Sequence, residues 1–418
     1  MMTQAFYTGL TGLHAGQKAI DVITDNLANT STVGFRGYTT EFSNMFERAL
    51  NTDAESSSVS STVGVGTKLD TILMDESRGV FQLTESANDL AILGDGWFGI
   101  QGLGETLYTR DGSFTFDSNR DLVTHDGFFV LGTMGNNIDG EILTEDLGNI
   151  PLSDVTEQEK LSFPENLYYP PIPTSEANFY GNLSLNESVQ TISTKAINPE
   201  GTKNNLRLEF NKSDVQVPPG VQWDVTATIE GLADNTVYST ETGVVSFDET
   251  GLLISNTLSS IDNQGAPINI NLGGTNGFLI SIQADPSVSS TSDGLKPGEL
   301  TGYEINKNGE VLATFTNGEQ SNVATVAVFQ FANDRGLVRA NGARFFESSN
   351  SGTPQFTQDA DGNNIIGTDL TNFKLEGSNV RLDAGLTEII IMQRSYDANS
   401  KSITTADQML QKALSMDA

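Results

Sequence analysis

Two amphipathic segments with apolar residues at seven-residue spacing close off the ends of this chain, and the sequence between them alternates with a period of two. Phe6, Leu13, Ile20 and Leu27 recur at every seventh position near the N-terminus, with Leu10 at the intervening seam position. Ile389, Tyr396, Ile403 and Leu410 do the same near the C-terminus, and Leu382, Leu386 and Leu414 extend that stripe. Such a 3-4 alternation lays one apolar seam along a helix, suited to a partner helix rather than to a globular core. Polar residues interrupt each seam at the alternate position: Gln17 and Thr24 in one, Gln393, Ser400 and Asp407 in the other. Seam polarity of this kind sets register at some cost in stability. One helix pair has too little area to protect stripes about 40–50 Å long. The two helices are therefore expected to mate with each other and with other subunits.

Charge narrows the choice of partner. Against 54 Asp and Glu the chain carries 22 Lys and Arg, a net charge of -32. Nucleic acid and anionic membranes both require basic patches, so neither is expected to bind. There is no cysteine, which excludes disulfides and Cys-based metal or redox sites. The first residues have neither a cationic n-region nor a continuous apolar h-region, so no cleaved secretory signal is expected. No apolar run is long enough to span a bilayer, and no membrane insertion is expected.

The first helix is expected over about residues 4–29, ending in Thr30-Ser31-Thr32-Val33-Gly34. Phe42, Met45 and Phe46 form a second apolar patch, and residues 51–62 have the Ser-rich composition of a linker. From about Val63 the period is two. Asp89-Leu90-Ala91-Ile92-Leu93 reads as a buried strand, and Asp111-Gly112, Asn119-Arg120-Asp121 and Asp126-Gly127 as hairpin turns between short strands. Pro170, Pro171 and Pro173 mark a boundary. Beyond them, to about residue 295, an Asn/Ser/Thr-rich region reads as a separate β domain inserted into the first. The expected fold is mainly β with terminal α-helices, nested and multi-domain. Residues 1–33 and 373–418 form a coiled-coil-like helical domain, 34–69 a linker region, 70–173 and 301–372 a discontinuous β domain, and 174–300 the insertion.

Motifs for chemistry are weak. Gly94-Asp95-Gly96-Trp97-Phe98-Gly99 has the spacing of a dinucleotide fingerprint, which needs a helix to follow. Here another strand follows, so the segment is read as a tight turn presenting Trp97 and Phe98 to the core. Asp359, Asp361 and Asn363 begin like a calcium loop, but Asn364 and Leu370 stand where Gly and a bidentate carboxylate are required. His14 and His125 have no metal-ligand spacing. No catalytic residue, cofactor or metal is expected, and the chain is read as a non-enzyme.

In these terminal and central segments the chain resembles the axial protein family of the bacterial flagellum, its hook members most of all. The N-terminal likeness lies in Gly9-Leu10, Asp25-Asn26-Leu27-Ala28-Asn29 and Thr32-Val33-Gly34-Phe35-Arg36. The C-terminal likeness runs from Ser378-Asn379-Val380 through Gln393-Arg394-Ser395-Tyr396-Asp397-Ala398-Asn399-Ser400-Lys401 to Ile403 and Asp407. Between them, Asp89 to Phe98, Tyr108-Thr109-Arg110-Asp111-Gly112-Ser113-Phe114 and Thr316-Asn317-Gly318-Glu319 are similar to further family elements. The chain departs from the pattern at Asp25, where Asn is usual, at Arg120, where a turn Gly is common, and at Gly385, where a helix former is common.

The resemblance implies a structural subunit of a helical homopolymer. Terminal helices would line an inner tube around an export channel, the split β domain would form a middle layer and the insertion an outer surface. It also implies rod, hook-cap and hook–filament junction proteins as partners, and extracellular delivery by the flagellar type III export apparatus. A distal rod or junction protein is the nearest alternative, and the roughly 120-residue insertion argues against a rod. A surface adhesin is an alternative of another class and leaves both terminal seams unexplained.

Overall fold

The computed structural model describes residues 2–45, 48–49, 62–63, 66–102, 104–216, 220–232, 234–273 and 278–416. Of the expected linker at 51–62 only Thr62 is among them, and Phe46 and Leu103 also lie outside the described residues.

Two long helices stand at the chain ends, α1 (Met2–Ala28) and α2 (Leu382–Met416). At 27 and 35 residues they are about 40 and 52 Å long. After α1, the backbone N–H groups of Asn29 and Thr30 donate to carbonyls of its last turn, and Gly34 at φ 67° turns the chain away. The strand Tyr38–Asn44 then pairs antiparallel with Thr67–Met74 in an isolated two-stranded sheet. Both of these strands pack beside α1.

The next body is one large sheet contributed by both halves of a divided segment. Trp97–Gly102, Glu105–Thr109 and Phe129–Met134 come from the first half, and Gly298–Ile305, Glu310–Phe315 and Gln320–Val326 from the second. The halves join where Gly132 pairs with Val326 and Met134 with Ala324, antiparallel. Its core holds Leu90, Ile92, Phe98, Phe114, Val130, Val311, Val323 and Val326. Each large aliphatic or aromatic side chain fully buried there contributes about 1.5–3 kcal/mol, so this body has a hydrophobic core of its own.

A second core belongs to residues 176–292 and shares no residue with the first: Phe179, Phe210, Trp223 and Phe247 sit at its centre. One sheet is a five-stranded meander, Val189–Ile197 through Leu253–Asn256. The other pairs Glu176–Asn182 in parallel with Ala266–Asn271 and Phe278–Ile280, a crossover that short-range turn signals cannot reveal. Two strands of chain join the bodies: Ile172 and Leu295 exchange backbone hydrogen bonds of 3.0 and 2.9 Å. Asp293 accepts from Ser175 N and Oγ and from Glu176 N beside them.

Several local expectations have physical answers. After Gly94-Asp95-Gly96 the chain runs directly into the strand Trp97–Gly102, with Trp97 and Phe98 buried. Asp359 uses its own carboxylate to accept Asp361 N and Asn363 N, closing a hairpin loop on itself. Those bonds from Asn363 hold its carboxyl below the ordinary range. Arg120 sits at φ 63°, the left-handed conformation in which a glycine costs least.

Candidate assembly surface

The helices pair antiparallel. Gly9 lies against Ile403, Gly12 against Asn399, and Leu27 against Gly385, so positions ascend along α1 as they descend along α2. Small residues set the spacing. A Cβ on Gly9 would stand 2.7 Å from Ile403 Cγ1, one on Gly12 2.7 Å from Asn399 Nδ2, and one on Gly385 2.4 Å from Leu27 Cδ1. Gly385 is therefore a close-packing position, which explains a glycine in a helix interior despite its cost of about 1 kcal/mol relative to Ala. A second side of α1 meets the two-stranded sheet. Thr11, at the spacing of Ala15 and Ala19, lies against Gly66, and Ala15, Ala19 and Ile23 are the buried apolar residues of this helix.

Of the heptad residues, Ile403 and Leu27 face the close-packing glycines Gly9 and Gly385, and the others vary in exposure. Leu10, Leu13, Ile20, Leu27, Ile389, Ile403 and Leu410 are half-buried. Phe6, Leu382, Leu386, Tyr396 and Leu414 are exposed, Leu414 by 72%. Tyr7, Ile390, Ile391 and Met409 join them on the outside. Spacing alone did not single out Gly9, Gly12, Ala15 or Ala19. The small-residue face was nevertheless legible in Gly9 and Gly12, which share one side of a helical wheel.

A polar junction fastens the helix pair to the β body. Asn26 binds the Tyr38 backbone at both ends, donating to its carbonyl at 2.7 Å and accepting its N–H at 2.9 Å. Asn379 accepts Gly37 N–H at 2.7 Å and donates to the Asp75 and Ser77 carbonyls at 2.9 Å each. Beneath them Glu376, just before α2, pairs with Arg36, just after α1, at 3.0 Å and with Arg110 of the β body at 3.4 Å. All three side chains are at most 3% exposed. Burial, then the nearby Arg36, pull Arg110 down to about 10 against the opposing attraction of Glu376. Its guanidinium lies 5.3 Å from the Trp97 ring centroid. Arg36, Arg110 and Asn379 all fall within segments that carried the family likeness, yet only the fold brings them to one point.

This construction defines a class: a layered, mainly β subunit carried on its own paired termini, with uncovered apolar side chains on the helices. Comparison with known proteins agrees. Residues 6–36 match the model for the flagella basal body rod protein, 91–166 that for the flagellar hook protein FlgE/F/G D1 domain, and 373–416 that for the flagellar basal body rod FlgEFG protein C-terminal region. The chain is 28% identical to the flagellar hook protein FlgE of Borreliella burgdorferi over 98% of this chain and 99% of that protein. It is 28% identical to that of Escherichia coli over 97% and 98%, and 29% identical to that of Brucella suis over 96% of each. In fold it is similar to the Helicobacter pylori flagellar hook protein FlgE2, with a TM-score of 0.52 at 15% identity, covering 71% of this chain and all of that one. The chain belongs to the flagellar hook protein family, whose members are structural and non-enzymatic.

Proposed function

We propose that copies of this chain polymerise into the curved, flexible tube of the hook, which carries motor torque from rod to filament and encloses the export channel. The observation that carries this reading is the apolar surface left over once α1 and α2 have paired. Phe6, Tyr7, Leu382, Leu386, Ile390, Ile391, Tyr396, Met409 and Leu414 remain outside. Covering such side chains is worth roughly 1.5–3 kcal/mol for each one fully buried, and head-to-tail repetition of one contact generates a helical filament.

On this reading residues 1–33 and 373–418 form the inner polymerisation layer, 34–69 the connection, 70–173 and 301–372 the middle layer, and 174–300 the outer surface. Rod, hook-cap and hook–filament junction proteins meet the two ends of the polymer. The subunit reaches the cell exterior through the flagellar type III export apparatus. Among the described residues no helix is long and apolar enough to cross a membrane.

Electron microscopy of basal bodies from source cells lacking the gene tests the reading. A complete rod with no hook is the expected result. A normal hook without filament would assign the chain to the junction instead, and a truncated rod would assign it to the shaft.

A further inference from the structure

Three Asn-Gly pairs lie among the described residues, and their glycine amides are in different states. Gly309 N–H donates to the Asn306 carbonyl at 3.1 Å. Gly318 N–H donates to the Phe315 carbonyl at 3.0 Å, while Asn317 Nδ2 donates to the Lys296 carbonyl at 3.1 Å. In Asn341-Gly342, by contrast, neither the glycine N–H nor the asparagine side chain has a partner among the described residues. Both residues are exposed, and a Cβ on Gly342 would meet nothing within 4 Å.

We propose that Asn341 is a site of spontaneous deamidation, and that its conversion loosens the hold of the β body on α1. The Gly342 nitrogen attacks Asn341 Cγ. As the new C–N bond closes a succinimide, the Cγ–Nδ2 bond breaks and ammonia leaves, its third hydrogen coming from the Gly342 amide. Solvent water then opens the ring at one carbonyl or the other, giving aspartate or isoaspartate. A hydrogen-bonded glycine amide is held away from that attack, so the reaction selects Asn341 over Asn308 and Asn317.

The turn that reacts is the one that aims Arg339. Arg339 Nε donates to the Gly342 carbonyl at 3.2 Å, and Ala340 N and Arg344 N bond across the same turn at 2.9 and 3.3 Å. The far end of Arg339 pairs with Asp25 of α1. Isoaspartate inserts an extra carbon into the main chain at this point and displaces the Gly342 carbonyl. Either product also places a new carboxylate beside Arg339, where it competes with Asp25 for the guanidinium.

The test uses the full chain, aged in mildly alkaline buffer at physiological temperature and sampled by peptide mass mapping with isoaspartyl methyltransferase labelling. Asn341 is expected to convert several-fold faster than Asn308 and Asn317 in the folded chain, with the three converting at similar rates in the excised peptides. Equal rates in the folded chain, or an unreacted Asn341, overturn the site. Hydrogen exchange at the C-terminal end of α1 tests the coupling. Faster exchange is expected in the aged protein and not in an aged Asn341→Gln variant. Unchanged exchange in fully converted protein overturns the coupling.

Discussion

Arg339 reaches from the β body to the last turns of the first helix, where its Nη1 stands 2.5 Å from Asp25 Oδ2. The same guanidinium lies 5.0 Å from the Phe35 ring centroid and 5.7 Å from that of Tyr38. The Arg339 and Asp25 side chains are partly exposed, at 30% and 46%. A pair this open contributes about 0.2–1 kcal/mol and is screened by salt. Asp25→Asn is expected to lower the urea midpoint slightly and to flatten its dependence on sodium chloride concentration. A variant as salt-sensitive as the parent would show that the pair contributes nothing.

Glu376 has the opposite character. It lies between Arg36 and Arg110 with all three side chains buried, and its Oε1 also accepts Gly79 N–H at 3.0 Å. Removing the charge strands two buried cations, for which about 3–5 kcal/mol is the usual cost of breaking a buried pair. Glu376→Gln keeps the shape and an acceptor for Gly79, so its effect isolates the charge. Chemical denaturation is expected to show a loss in that range, and a loss below about 1 kcal/mol would mean that water reaches the triad.

How much of this was visible in the residues depends on distance along the chain. Strands, Asp-Gly turns and helix ends follow from neighbours, so Leu90–Ile92, Trp97–Gly102 and both helices were legible. Arg120 at positive φ lies in Asn119-Arg120-Asp121, which reads as a turn from its own residues. The parallel pairing of Glu176–Asn182 with Ala266–Asn271 was not legible, because parallel strands leave no hairpin signal. The Glu376 triad was hidden for a similar reason: Arg110 and Glu376 are 266 residues apart, and nothing local marks either as buried. On the helices, the hydrophobic pattern marks Leu27 and Ile403, but not the glycines Gly385 and Gly9 that they pack against.

The neck between the two β bodies carries a pH dependence. Burial tends to raise the Asp293 carboxyl, but hydrogen bonds from Ser175 Oγ, Glu176 N and Ser175 N together hold it below its ordinary value. A lowered carboxyl stabilises the fold at and above the ordinary carboxylate range. That contribution is lost as pH falls through the folded-state value. Protection factors of the Ser175 and Glu176 amides, corrected for intrinsic exchange, are therefore expected to drop at acid pH below that range. Asp293→Asn should remove the pH dependence, and an unchanged profile in that variant would place its origin elsewhere.

Removing the terminal helices tests whether the β bodies stand alone. A cut at residue 373 would take Glu376 with it and leave Arg110 buried without a carboxylate partner, so the informative fragment spans residues 29–381. Its two β cores are intact and share no residue. Sedimentation and fluorescence of the buried Trp97 and Trp223 are expected to show a folded monomer that does not polymerise. Helical polymers of this fragment would sink the terminal-helix mechanism.

Pairing within the subunit and association between subunits should separate by mutation. Ile390 and Ile391 are each 57% exposed on α2, outside the side that carries Gly385, Asn399 and Ile403 against α1. Ile390→Glu and Ile391→Glu touch no core in the monomer, so thermal melts of dilute protein should change by no more than about 0.5 kcal/mol. Polymers that bury these side chains would have to bury the carboxylates, and polymerisation followed by light scattering is expected to fail. Gly385→Leu should give the reverse order of effects, because its side chain meets Leu27 inside the subunit and must push the helices apart before any neighbour arrives. The monomer's helical signal should then melt early, and polymerisation should fail as a consequence. Normal polymers from the glutamate variants would mean that this face of α2 stays open in the assembly, leaving Phe6, Tyr7, Tyr396 and Leu414 to carry association.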